Sequence, residues 1–139
     1  MNLDIITPEK IIFQGDVEEI YITTADGPIG ILPHHVNLFT KIIPGELKLK
    51  ISGKEQYMAV TSGFLEVNAN KVTLLADYAI PAEEIEIEKV MEARKRAEEV
   101  LKRKESQITD QEFAAAEAAF KQAIAELEVA NRRRKRPIQ

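Results

Sequence analysis

Glycine stops at Gly63. The remaining 76 residues contain none, and proline is absent from the 55 residues Ala82 to Arg136. Turns need glycine and proline, whereas unbroken helix excludes them. The chain therefore divides near Pro81 into a turn-rich unit, 1–81, and a helical unit, 82–139. Charge changes at the same place. Residues 1–81 carry six lysines, no arginine and a net charge of −4; residues 82–139 carry all seven arginines and a net charge of zero.

Other features exclude whole classes. A hydrophobic content of 45% suits a globular core and argues against disorder. No run of apolar residues is long enough to span a membrane. The start, Met1-Asn2-Leu3-Asp4, lacks the basic and apolar regions of a signal peptide. The absence of cysteine rules out disulfides, thiol catalysis and cysteine-bound metal, and fits a cytoplasmic location.

The first unit reads as strands. Leu47, Leu49 and Ile51 alternate with Lys48 and Lys50, the period-2 pattern of a strand with one buried face. Val72, Leu74 and Ala76 repeat it, and Val17–Thr23 and Tyr57–Val60 are rich in β-branched and aromatic residues. Turn signals separate them at Pro44-Gly45, Ser52-Gly53-Lys54 and Asn68-Ala69-Asn70. This spacing predicts an all-β sandwich or barrel.

The second unit reads as an antiparallel helical hairpin, which makes the chain α+β. From about Ala82 to Glu105, apolar residues fall three and four apart at Ile87, Val90, Met91, Ala97 and Leu101. From Asp110 onward, Phe113, Phe120 and Leu127 are spaced by seven, with Ala116, Ile124 and Ala130 between them. Thr109-Asp110-Gln111-Glu112 is a capping box, and Ile108 with Phe113 can form the hydrophobic staple. Two such helices are marginal alone, so they need the β-unit or a partner.

Catalytic chemistry is hard to place. No P-loop, nucleophile elbow or HExxH is present. The two histidines, His34 and His35, are adjacent, and on a strand they would face opposite ways, so no metal site is expected. Gly27-Pro28-Ile29-Gly30, followed by Pro33, reads in isolation as a shaped turn. Pairs such as Glu98 with Lys102 read as a solvated helix face. The basic run Arg132, Arg133, Arg134, Lys135 and Arg136 suits a helix C-terminus by its dipole. An enzyme acting alone is not expected.

Several ordered segments nevertheless resemble one family. They are Phe13-Gln14-Gly15-Asp16-Val17, the loop Gly27-Pro28-Ile29-Gly30-Ile31-Leu32-Pro33-His34-His35-Val36-Asn37-Leu38, Ser62–Val67 and Val72–Asp77, with the helical hairpin last. Together they resemble the epsilon subunit of bacterial F-type ATP synthase, counterpart of the mitochondrial delta subunit. The resemblance implies a two-sheet sandwich and a place on the rotating central stalk, bound to the gamma subunit and the c-subunit ring. It further implies a peripheral position at the cytoplasmic face of the plasma membrane, reached only through the complex. It assigns Pro28, Ile29, Gly30, Pro33 and His35 to the contact with the c-ring and gamma. It makes the hairpin an arm that permits ATP hydrolysis when folded and blocks it when extended into the alpha/beta catalytic head. Arg94, Lys95, Arg96 and Arg132–Arg136 would then meet acidic partner surfaces.

Some relatives bind ATP on the folded hairpin through an I-D-x-x-R-A motif. The matching stretch here offers Ile85, Glu86, Lys89 and, further on, Arg96. Glutamate for aspartate and lysine for arginine keep the charges, but lysine lacks the planar fork. Gln122 and Glu126 stand where nucleotide-binding members carry arginine, and a carboxylate repels phosphate. ATP binding is therefore expected to be weak or absent, and no cofactor or metal is expected. Two other classes compete with the rotor reading. One is a small-molecule-binding β-domain that dimerises through Phe113, Phe120 and Leu127. The other is a basic-tailed nucleic-acid adaptor, which the acidic first unit disfavours.

Overall fold

A computed structural model of the chain describes residues 1–103 and 105–134. Ten strands come first: β1 (Asn2–Ile6), β2 (Ile11–Asp16), β3 (Glu19–Thr24), β4 (Gly27–Ile31), β5 (Leu38–Ile42), β6 (Gly45–Ile51), β7 (Lys54–Val60), β8 (Gly63–Asn68), β9 (Lys71–Ala76) and β10 (Ala79–Pro81). A 3-10 turn, Ala82–Glu84, leads into α1 (Ile87–Leu101), and after a second such turn, Glu105–Gln107, α2 (Asp110–Arg134) completes the hairpin.

The strands pair in the order β10-β7-β6-β3-β5-β8-β9-β1-β2, with β4 on the remaining edge of β3. One bridge, Thr24 to Ile42, joins the β3 and β5 halves. The sheet doubles over there, so that two layers enclose one core. The alternation read from the sequence places Leu47, Leu49, Val72, Leu74 and Ala76 inside, with Ile51 partly buried against them, and β8 adds Leu65 and Val67 to the same core. Burial of each large side chain contributes about 1.5–3 kcal/mol. The strand expected at Val17–Thr23 runs instead from Glu19 to Thr24, because Val17 is a buried turn residue whose N–H donates to the Met1 carbonyl.

The capping box forms as expected. The Glu112 N–H donates to Thr109 Oγ1 (3.0 Å), and the Thr109 N–H donates to the Glu112 carboxylate (3.2 Å). The hairpin lies on the outer face of β6 and β7. A second apolar cluster fills that interface, from Ala59 on β7, Ala82, Ile85 and Val90 to Ala123, Leu127, Val129 and Ala130 on α2. The expected seven-residue stripe is only partly used. Leu127 is buried and Phe120 half-buried, but Phe113 is exposed, as is Met91. The stripe divides along the helix: Leu127 joins the cluster against the sheet, whereas Phe113, near the start of α2, lies beside Arg103 and Ile108 between the helices.

Candidate functional site: three surfaces for partners

The loop after β4 is tied down. The His34 N–H donates to Asn70 Oδ1 (2.8 Å), and the Ala69 N–H donates to Asn37 Oδ1 (3.1 Å). These reciprocal bonds fasten the loop to the β8–β9 turn. His34 adopts a left-handed φ of 67°, and the His35 N–H closes the turn onto the Leu32 carbonyl (3.1 Å). The histidines thus sit on a tight turn rather than a strand. His35 Nδ1 lies 2.7 Å from the Val36 carbonyl, and no metal-binding cluster occurs among the described residues. The loop presents Leu32, Pro33 and Val36 to solvent, with Val36 76% exposed. A pinned apolar tip is pre-organised, so a partner that covers it has little entropy to remove.

The expected contact residues divide between this loop and its strand. Pro33 and His35 belong to the loop. Pro28 is exposed on β4, Ile29 leans on the core, and Gly30 lies beneath the Tyr21 ring of β3. A Cβ on Gly30 would come within 2.8 Å of that ring, so glycine is required for the tyrosine to lie flat. A cross-strand row follows from the register: Gly30 opposite Tyr21, Tyr21 opposite Lys48, Lys48 opposite Tyr57. The Lys48 ammonium sits 5.0 Å from the Tyr21 ring centre. Hydrogen bonds from Tyr21 and Lys50 hold the Glu19 carboxyl below its usual range, and those from Tyr57 and Lys48 do the same for Glu55.

A second surface lies on the outer face of the β5-β8-β9-β1 layer. Phe39 and Phe64 stack with ring centres 5.6 Å apart, although both are exposed. Phe64 stands opposite Leu75, and Leu75 opposite Ile6, in one apolar row. Beside it is a shallow hollow of about 370 Å³ lined by Pro8, Lys41, Gly63 and Phe64, among others. Sequence reasoning did not single out Phe39 as part of a surface. The available signal was an apolar residue between the inward-facing Leu38 and Thr40, but its meeting with Phe64 depends on pairing.

The arm is the third surface. Arg133 makes a bidentate ion pair with Glu46 on β6, and its guanidinium lies 3.5 Å from the centre of the Tyr57 ring. Arg132 approaches the same carboxylate at 3.5 Å. Two of the basic residues assigned to distant partners are thus occupied on the chain's own sandwich. Arg94 lies over Phe120 at 6.0 Å, and Lys95 and Arg96 are exposed. Arg134 ends α2, and Lys135 and Arg136 lie outside the described residues. In the stretch matched to an ATP motif, Ile85 is buried in the interface and Glu86 pairs with Lys89 at 2.7 Å.

Glu126 is a buried carboxylate on α2. Burial raises its pKa, partly opposed by hydrogen bonds from Tyr78 and Gln122. The same burial, helped by the negative charge of Glu126, pushes Tyr78 up to about 12, and Glu84 adds to the local negative charge. A carboxyl group with a raised pKa in the docked state favours docking below its ordinary range. That contribution is lost as pH rises through the raised value. Glu126→Gln should therefore flatten the pH dependence of docking. At pH 8 it should protect α2 amides from exchange more strongly, by on the order of 1 kcal/mol; unchanged exchange would show that Glu126 does not oppose docking.

Known proteins match this arrangement along nearly the whole chain. Residues 1–82 match the family model described as ATP synthase, Delta/Epsilon chain, beta-sandwich domain. Residues 83–131 match that of the ATP synthase, Delta/Epsilon chain, long alpha-helix domain. The chain belongs to the ATP synthase delta/epsilon family. An ATP synthase epsilon chain of Dehalococcoides mccartyi is 41% identical over 137 residues, 99% of this chain and 96% of the relative. One from Caldanaerobacter subterraneus is 42% identical over 132 residues, 94% of each. A chain in the Euglena gracilis mitochondrial ATP synthase structure, OSCP/F1/c-ring in rotational state 1, shares the fold with a TM-score of 0.74 at 27% identity. The match covers 92% of this chain and 79% of that one. Family membership carries the two-layer sandwich and hairpin, and no helix among the described residues is long and apolar enough to cross a membrane.

Proposed function

We propose that the chain is a non-catalytic rotor subunit of an F-type ATP synthase, joining gamma to the c-ring on the central stalk. Its named relatives and the neighbour from an OSCP/F1/c-ring assembly support this reading. The pinned Leu32–Val36 loop, with Pro28, Ile29, Gly30, Pro33 and His35, faces the c-ring. The Phe39–Phe64–Leu75 face receives gamma. Membrane association comes only through the complex, at the cytoplasmic face.

The arm regulates hydrolysis. The observation that carries this is the composition of its interface: four of the eight buried residues in the cluster beneath it are alanine. Alanine contributes little burial energy, so the helices rest on the sandwich by a thin apolar seam and can leave it without disturbing the core. Once free, α2 alone is about 37 Å long at 1.5 Å per residue, enough to reach a neighbouring subunit. The extended arm would place its basic side chains against acidic surfaces of the alpha/beta head and oppose hydrolytic rotation.

Truncation after Ala82 should leave assembly with gamma intact and raise ATP hydrolysis by the reassembled complex several-fold, about 1 kcal/mol in the barrier. Equal hydrolysis with and without the arm would sink the inhibitory reading. ATP is not assigned a role on the arm. Lys89 is already paired with Glu86, and Glu126 places a carboxylate in the interface. Calorimetric titration of the isolated chain with ATP checks this, and micromolar binding would reverse it.

A further inference from the structure

The apolar seam stops short of the last turn of α2, and a polar cluster takes over there. Arg133 crosses to β6 and forks onto Glu46, the geometry that matches guanidinium to carboxylate. Its other face covers Tyr57 on β7. The two charged side chains are 12% and 16% exposed, so neither is a free surface charge. This group sits as far along α2 as the docked helix reaches, where a contact has the greatest leverage against fraying. A crevice of about 340 Å³ beside it is lined by Glu46, Arg132, Lys48 and Tyr21 together with Pro28 and Gly30 of β4. The cross-strand row Gly30–Tyr21–Lys48–Tyr57 runs straight from the β4 edge to the Arg133 contact.

We propose that Arg133, Glu46 and Tyr57 form a releasable latch that sets how often the arm leaves the sandwich. The role given to the released arm rests on the regulatory reading above, but the latch itself concerns only docking. The seam is nonspecific in strength, whereas the latch can be opened by a competing charge. An acidic partner surface that takes Arg133 leaves Glu46 without its fork, and an Arg or Lys offered to Glu46 does the converse. Release is therefore an exchange of ion pairs rather than a net loss of them, and salt weakens the docked form.

The chain has no cysteine, so spin labels can be placed uniquely. Labels at K54C on β7 and E128C on α2, both exposed positions, report the docked distance by double electron resonance in the full-length chain. E46Q and R133Q should each raise the long-distance fraction about 10-fold, which corresponds to about 1.4 kcal/mol. The swap E46R/R133E should recover much of the docked population. Unchanged distance distributions in both single variants would overturn the latch. R133Q keeps that test valid if E46Q perturbs β6, because Arg133 lies outside the sandwich core. Hydrolysis by the assembled complex is measured separately. A shifted docking equilibrium with unchanged hydrolysis sinks the regulatory reading and leaves the latch standing.

Discussion

Gly63→Ala should destabilise the sandwich by about 3–5 kcal/mol, the largest effect expected of any single methyl group added to this chain. A Cβ at this position would lie 1.8 Å from the Leu75 carbonyl oxygen, 2.8 Å from its carbonyl carbon and 2.9 Å from the Ala76 Cα. All three are backbone atoms, so no side-chain rotation can relieve the overlap. Gly63 pairs with Ala76 of β9 on one side and Ile42 of β5 on the other. Ile42 also bridges to β3, so strain at Gly63 falls on the hinge where the sheet doubles over. A domain of this kind holds only about 5–15 kcal/mol of stability. At about 4–8 °C per kcal/mol, the melting temperature should drop by at least about 12 °C. Gly45→Ala is the control, since a Cβ there meets nothing within 4 Å and φ lies outside the left-handed range. It should change stability by less than about 1 kcal/mol. Thermal and urea unfolding followed by circular dichroism measure both. A Gly63→Ala protein as stable as Gly45→Ala would mean that β8 and β9 do not pair as closely as described.

Phe64→Asp should weaken association with gamma at least about 100-fold while the chain stays folded. Phe64 is stacked on Phe39 and stands beside Leu75, yet it is 46% exposed. Its substitution therefore removes little from the core. At an interface, a central aromatic pair is the kind of anchor that carries a large share of the affinity, and a buried carboxylate without a partner adds a further penalty. Phe113→Asp provides the comparison, because that phenylalanine is equally exposed but lies at the far end of the hairpin. It should bind gamma like the parent chain. Calorimetry with purified gamma, with circular dichroism to verify folding, measures the difference. Equal affinities for the two variants would move the gamma contact away from the β5-β8-β9 face.

Much of the architecture is legible along the chain because the relevant signals are local. Alternation at Leu47–Ile51 and Val72–Ala76 faithfully marks the buried side of β6 and β9. The Thr109–Glu112 capping box places the start of α2 to the residue. Phe113 shows where local pattern misleads. Its seven-residue spacing from Phe120 and Leu127 promises a buried stripe, but spacing says nothing about which neighbours each turn of the helix will meet. His34 and His35 show the same limit. Adjacent residues oppose each other on a strand, but the bonds from His34 to Asn70 and from Ala69 to Asn37, spanning 36 and 32 residues, hold this segment in a turn.

The candidate surfaces divide in the same way. Pro28, Ile29, Gly30, Pro33 and His35 are visible as a shaped segment, because glycine and proline advertise their backbone needs. Asn70 is legible only as a turn residue, and nothing marks it or Asn37 as fixing that segment. Phe39, Glu46 and Tyr57 are likewise ordinary strand residues until their neighbours are known. The arginines of the arm are countable in the sequence, yet nothing there distinguishes Arg133, clamped on Glu46 and Tyr57, from exposed Arg96.

What the sequence by itself shows is the change of composition near Pro81. Glycine and proline act through their own φ and ψ, so their confinement to the first unit leaves the second to two helices, broken only between Leu101 and Asp110. What only the tertiary structure decided is how that arm is held. Contact between Arg133 and Glu46 joins residues 87 positions apart, and it depends on the register of β6 with β7 and the angle at which α2 crosses them. Both are properties of packing between elements, where no single segment carries the information.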